Sequence, residues 1–231
     1  MKNYSFINDF FPKLLILRLL FLALILMGCN VKEQKTYDEK GQLTSILRYN
    51  NNKVLDGTSV WFYSSGVKQM EATYQNGSLH GPHIRYYENG KIQEVAYYKN
   101  NLIDSITSHY GINGDLLLIE NYQNDTLHGV YQRFYENGKI AIDGLYKNGL
   151  MQGNWLFYDQ TGFIIGKASF DQGSGIQKAW YPNGKLQRVI HYDKNLKHGS
   201  EEFYASDGNL EKVIHYNRGI VSLEPFDPKL K

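Results

Sequence analysis

Residues 81–98, Gly81-Pro-His-Ile-Arg-Tyr-Tyr-Glu-Asn-Gly90-Lys-Ile-Gln-Glu-Val-Ala-Tyr-Tyr98, read as two short strands around a tight turn. Polar and apolar residues alternate through His83-Ile-Arg-Tyr86 before the turn, the period of a strand with two unlike faces. Asn-Gly predicts a two-residue hairpin turn, because both central positions of such a turn need positive φ. Helix is a poor alternative, since glycines like these would interrupt it every dozen residues.

The same unit recurs along the chain with a period near 24 residues. Its turn glycine stands at Gly41, Gly66, Gly90, Gly114, Gly138, Gly162, Gly184 and Gly208, which defines copies one to eight. The spacings are 25, 24, 24, 24, 24, 22 and 24, so one copy carries an insertion and one a two-residue deletion. Eight residues after each glycine stands an aromatic: Tyr49, Tyr74, Tyr98, Tyr122, Tyr146, Phe170, Tyr192 and Tyr216. A second glycine opens most copies (Gly57, Gly81, Gly129, Gly153, Gly175, Gly199), with Ser105 as the exception. Turns such as Tyr74-Gln-Asn-Gly77 and Tyr146-Lys-Asn-Gly149 return the chain to the next copy.

These spacings predict an all-β fold, an elongated antiparallel β-meander of about eight hairpin repeats, over residues 37–220. Alternation puts three columns on one face: the apolar residue two after the turn glycine, the small residue six after it (Ala72, Ala96, Gly144, Ala168) and the aromatic eight after it. No single copy buries that face alone, so stability has to come from stacking neighbours, each ring contributing on the order of 1.5–3 kcal/mol. The face opposite is expected to carry Trp61, Tyr63, Arg85, Tyr87, Tyr131, Arg133, Tyr135, Trp155, Phe157 and Tyr181, the candidate partner-binding residues. Aromatics mixed with arginine suit a protein interface or a sugar platform, and they equally suit a thin sheet that needs covering.

Composition narrows the partners. Thirty-three aromatics in 231 residues are too many for a disordered chain. The formal charge is +2, and residues 1–28 hold three bases (Lys2, Lys13, Arg18) against one acid (Asp9), leaving a neutral body. A neutral body argues against nucleic acid as a partner, because phosphates would not be drawn to it. No cofactor or metal is expected: His80, His128 and His198 recur as turn residues, and His191 with His215 lacks a third ligand. A phosphate-binding loop, His-Glu-x-x-His and a nucleophile-elbow serine are all missing from the sequence, so the reading is not an enzyme.

The N terminus reads as a targeting segment. Basic residues precede the apolar run Leu19-Leu-Phe-Leu-Ala-Leu-Ile-Leu-Met27, which fits a signal-peptide core better than a membrane span. The run ends in Leu26-Met27-Gly28-Cys29 and resembles the lipobox of bacterial lipoproteins. That resemblance implies a lipoprotein signal peptide at 1–28, acylation of Cys29, a lipidated tether at 29–36 and a place on a membrane of the bacterial cell envelope. Residues 221–231 leave the repeat register, carry two of the five prolines and read as a C-terminal cap or tail, since proline discourages pairing at an open edge.

The spacing of aromatic, Asn-Gly and Gly is similar to the MORN repeat in its bacterial variant form, over about residues 37–219. The resemblance implies an extended, twisted hairpin array that acts as a non-enzymatic protein-interaction scaffold. An envelope protein is then the expected partner. A wall glycan bound on the aromatic face is the alternative, and an antitoxin-like component a further one. A lipobox would place the chain across the membrane from a cytosolic toxin, which sets the last reading behind the others.

Overall fold

The computed structural model describes residues 31–222; the expected signal peptide, Cys29 and most of the expected C-terminal cap or tail lie outside the described residues. The described residues form one open antiparallel sheet of eighteen strands, paired in chain order. Copy one supplies β1 (Lys32–Tyr37) and β2 (Leu43–Tyr49), copy two β3 (Gly57–Phe62) and β4 (Lys68–Gln75), and copy three β5 (Ser78–Tyr86) and β6 (Ile92–Lys99). Copy four supplies β7 (Leu102–Ile103), β8 (Ser105–Tyr110) and β9 (Leu116–Gln123), copy five β10 (Thr126–Phe134) and β11 (Ile140–Lys147), and copy six β12 (Leu150–Tyr158) and β13 (Ile164–Asp171). Copy seven supplies β14 (Ser174–Trp180) and β15 (Leu186–Asp193), copy eight β16 (Leu196–Tyr204) and β17 (Leu210–Asn217), and β18 (Ile220–Val221) follows. Residues 32–36, expected in the tether, belong instead to β1, which pairs with β2 along its length.

The two kinds of turn exchange the roles the sequence suggested. The return turns are the two-residue loops: Gln75 pairs with Ser78, and Asn76 (φ 49) and Gly77 (φ 85) both lie in the left-handed region. The Asn-Gly turns inside each copy are longer. Gly90 donates its N–H to Tyr87 O at 2.9 Å, Tyr87 donates to Lys91 O at 2.8 Å, and only Gly90 has positive φ (81). That is a three-residue loop closed by a left-handed glycine. Asn89 serves by its side chain, its Oδ1 accepting the Lys91 N–H at 3.0 Å.

Neighbouring copies are joined along both edges of the sheet. At the return edge each turn reaches back one copy: Gly149 N–H donates to Leu127 O at 2.8 Å, Gly173 to Met151 O at 2.8 Å and Asn195 to Gly173 O at 2.9 Å. The forward edge uses side chains. In copy five the Tyr135 hydroxyl donates to Tyr158 O (2.7 Å), Asn137 Nδ2 to Gln160 O (3.0 Å) and Lys139 Nζ to Thr161 O (2.7 Å). The same three residue types, Tyr-x-Asn-Gly-Lys, staple copy three to four through Tyr87, Asn89 and Lys91, and copy seven to eight through Tyr181, Asn183 and Lys185. Each staple satisfies three backbone carbonyls of the following turn.

The pairing register corrects the assignment of faces. Partners across a ladder share a side, and Trp61, Arg85, Tyr131, Arg133, Trp155 and Phe157 pair with positions four or six after a turn glycine. They therefore lie on the same face as the alanine and aromatic columns. The apolar residue two after the glycine is the one that changes sides. In every copy the register slips between the last two pairs of the hairpin, as where Arg85 faces Glu94 but Tyr86 faces Ile92. The extra residue turns Ile92 toward Tyr86 and the second face, and Ile92, Ile164 and Leu210 are correspondingly exposed. Strict alternation does not survive this bulge, which no residue type in the sequence marks.

The core sits on the first face. Ala72, Ala96, Ala168 and Ile190 of the six-after column are buried, as expected, and the largest cluster surrounds Trp155, Ala168 and Phe170. There the rings interlock edge to face: Tyr146 to Trp155 at 5.2 Å, Trp155 to Phe170 at 6.1 Å, Phe170 to Tyr192 at 5.5 Å. Gly144 replaces the usual alanine for a steric reason, since a Cβ there would stand 2.2 Å from the Trp155 ring. The deletion in copy seven has a local effect: β13 and β14 pair without the slip found at other return turns, and Gly175 keeps an ordinary φ.

Candidate interaction face

One row of side chains crosses nine strands of the first face: Trp61, Met70, Arg85, Glu94, His109, Leu118, Arg133, Ile142 and Phe157. Cross-strand pairing of a 24-residue repeat places one residue per strand in such a row, so neighbours in it are far apart in sequence. Its middle is charged. His109 stands between Glu94 (3.5 Å) and Glu120 (3.4 Å), and the Tyr122 hydroxyl donates to Glu120 Oε2 at 3.1 Å. Burial and the Glu120 carboxylate push the Tyr122 hydroxyl up to about 12. Arg85 and Arg133, both exposed, flank this cluster. Their planar guanidinium forks are free to meet a carboxylate or stack on an aromatic ring.

The expected site residues separate into three groups. Trp61, Arg85, Arg133 and Phe157 fall in the row and are brought together there. Tyr131 and Trp155 lie in the adjacent row, and Trp155, 4% exposed, is core and offers no surface. Tyr63, Tyr87, Tyr135 and Tyr181 sit at the forward turns, where each hydroxyl donates to the carbonyl of the next copy. Sequence reading missed Glu94, His109 and Glu120. A signal existed, because the position four after the turn glycine is apolar in Met70, Leu118 and Ile142 but charged in Glu94, Arg188 and Lys212.

A second charged cluster, in copies seven and eight, closes on itself. Glu201 is 1% exposed and accepts from Arg188 and from Lys197 Nζ (2.8 Å). Burial pushes its carboxyl up, but hydrogen bonds from Lys197, Arg188 and Tyr216 outweigh that and hold it below the usual range. Arg188 lies 5.0 Å over the Phe203 ring and Lys197 4.9 Å over Tyr216, so both cations already have partners. His191 and His215 share the second face on either side of Ser200, and the described residues hold no group of three side chains suited to a metal ion. No helix among the described residues is long and apolar enough to cross a membrane.

No curated protein matches the chain. Among solved structures, a crystal structure of TcdB2-TccC3-TEV is 12% identical with a TM-score of 0.24, covering 81% of this chain and 13% of that one. The ASR alternansucrase in complex with isomaltononaose is 13% identical with a TM-score of 0.20, covering 82% of this chain and 18% of that one. This chain thus spans less than a fifth of either, and at those scores the likeness carries no argument. The model of the MORN repeat variant matches residues 31–51, 55–76, 79–100, 127–148, 174–194 and 197–218. The two longest internal stretches left unmatched, 101–126 and 149–173, hold the forward turns of copies four and six. With more than half of its length matched, the chain belongs to the MORN repeat variant family.

Proposed function

We propose that this MORN-repeat chain is a lipid-anchored scaffold of the bacterial cell envelope, holding a protein partner against the first face of its sheet without catalysing a reaction. The observation that carries the reading is the nine-strand row with Arg85 and Arg133 exposed beside Trp61 and Phe157. An array of that kind offers aromatic area and planar charge together, the combination enriched where interfaces concentrate their energy. Anchoring rests on Leu26-Met27-Gly28-Cys29, through which acyl chains would hold the scaffold at a membrane.

The test is crosslinking and capture of the full-length protein from its native membrane, beside a variant carrying Trp61→Ala, Arg85→Ala and Arg133→Ala. A stoichiometric protein partner that is lost in the variant is the expected result. Capture of wall polysaccharide with no protein would replace the protein partner by a glycan. Cys29→Ser should move the protein to the soluble fraction, and unchanged membrane association would remove the lipid anchor.

A further inference from the structure

Copies one, four and six lack the staple's tyrosine and lysine, and of the grooves that open after copies four and six the second is the larger and the more apolar. Where copies three, five and seven have Tyr, Asn and Lys, copy six has Asp159, Thr161 and Phe163. Asp159 turns onto its own loop, its Oδ1 accepting from Thr161 N (2.8 Å), Thr161 Oγ1 (2.6 Å) and Phe163 N (3.0 Å). Among the described residues no side chain donates to the carbonyls of Trp180, Pro182 or Asn183, the positions that a staple would reach. In place of the staple there is an open groove of about 600 Å³ between the turns of copies six and seven. Its walls are mainly apolar, Ile164, Ile165 and Trp180 on the strands and Phe163, 74% exposed, at the rim, with Asp159 and Lys167 the charged residues of its lining.

The other junctions show what chemistry fits this space. At four of them a phenol ring from the preceding turn occupies the equivalent place and its hydroxyl donates to the carbonyl equivalent to Trp180 O, at 2.7–2.8 Å. We propose that the copy six–seven groove docks a protein segment of a partner that supplies this missing tyrosine, its ring against Ile164, Ile165 and Trp180 and its hydroxyl on Trp180 O. A phenylalanine would fill the walls but leave the carbonyl without its donor. A lysine would supply a donor and leave the apolar walls uncovered. The proposal rests on the scaffold reading only in taking a protein as the partner.

The probe is the peptide acetyl-Tyr-Glu-Asn-Gly-Lys-amide, which repeats the residue types of 135–139, titrated into the full-length protein in detergent with Trp180 fluorescence as readout. Saturable binding is expected, and the analogue with Phe for Tyr should bind about tenfold more weakly, the size of one hydrogen bond. A variant carrying Asp159→Tyr, Thr161→Asn and Phe163→Lys fills the groove from within. It should lose peptide binding while melting no lower than the parent, which separates a filled site from a damaged fold. Equal affinity of the two peptides, retained binding in the filled variant, or no saturation by about 5 mM would each overturn the proposal. Capture of a partner through Arg85 and Arg133 that survives such a failure would leave the scaffold reading standing. Peptide binding without any such capture would do the reverse.

Discussion

Copies five and six, and copies six and seven, both meet through an antiparallel strand pair, with a register slip in the first and none in the second, and they are joined differently. The first junction is closed on both edges, by Tyr135, Asn137 and Lys139 at the forward turn and by Gly173 N–H on Met151 O at the return turn. Between them Trp155 fills the space that Gly144 leaves. The second junction is sewn at the return edge alone. Asn195 there donates its backbone N–H to Gly173 O, its Nδ2 to Gly149 O (2.7 Å) and accepts Met151 N–H (2.8 Å), while the forward edge stays open. In a linear array each copy is stabilised only by its neighbours, so the weakest junction sets where the sheet opens first.

That contrast fails if its strongest member is not strong. Trp155→Ala should cost about 3–5 kcal/mol in a urea titration, whereas Trp180→Ala, in the open groove, should cost far less. Equal losses would mean the two junctions do not differ in packing. Gly144→Ala comes next: its Cβ would meet the Trp155 ring, and a loss of about 1–3 kcal/mol is expected from overpacking. A neutral result would show the closed junction to be looser than its geometry.

Smaller changes sharpen the comparison. Tyr135→Phe removes one staple hydroxyl and should cost about 0.5–1.5 kcal/mol. Amide exchange in the turn at 159–162 should then approach the rate at 181–184, and an unchanged rate would show that the staple does not hold that edge. Alkaline pH probes the N-terminal half. Burial and Glu71 push the Tyr86 hydroxyl up to about 12, and Tyr122 is pushed equally far by burial and Glu120. Their folded values exceed the unfolded one near 10, so their contribution is complete below about pH 10 and fades as pH rises toward 12. A melting temperature flat across that window would contradict both environments. The smallest effect is at Ser105, which holds φ 138 where Gly81 and Gly129 hold 113 and 117. Ser105→Gly should add up to about 1 kcal/mol by relieving strain, and a loss would show that its side chain is needed.

Much of this was legible in the sequence because the repeat reports itself eight times. The glycine and aromatic columns fixed the strands, their order and the buried alanine column. The candidate site was half legible. Arg85 and Arg133 could be named, but as residues of the wrong face, since each hairpin's bulge shifts the alternation by one residue without any residue type to mark it. Glu94, His109 and Glu120 escaped because they are 26 residues apart end to end and meet only through pairing.

By itself the sequence determined period, class and topology, because local turn chemistry and alternation are short-range properties that each copy repeats. Only the tertiary structure decided which face each side chain takes and which junctions are closed. Those depend on register and on contacts between residues more than twenty positions apart, such as the Tyr135 hydroxyl on Tyr158 O, and no single copy contains both partners.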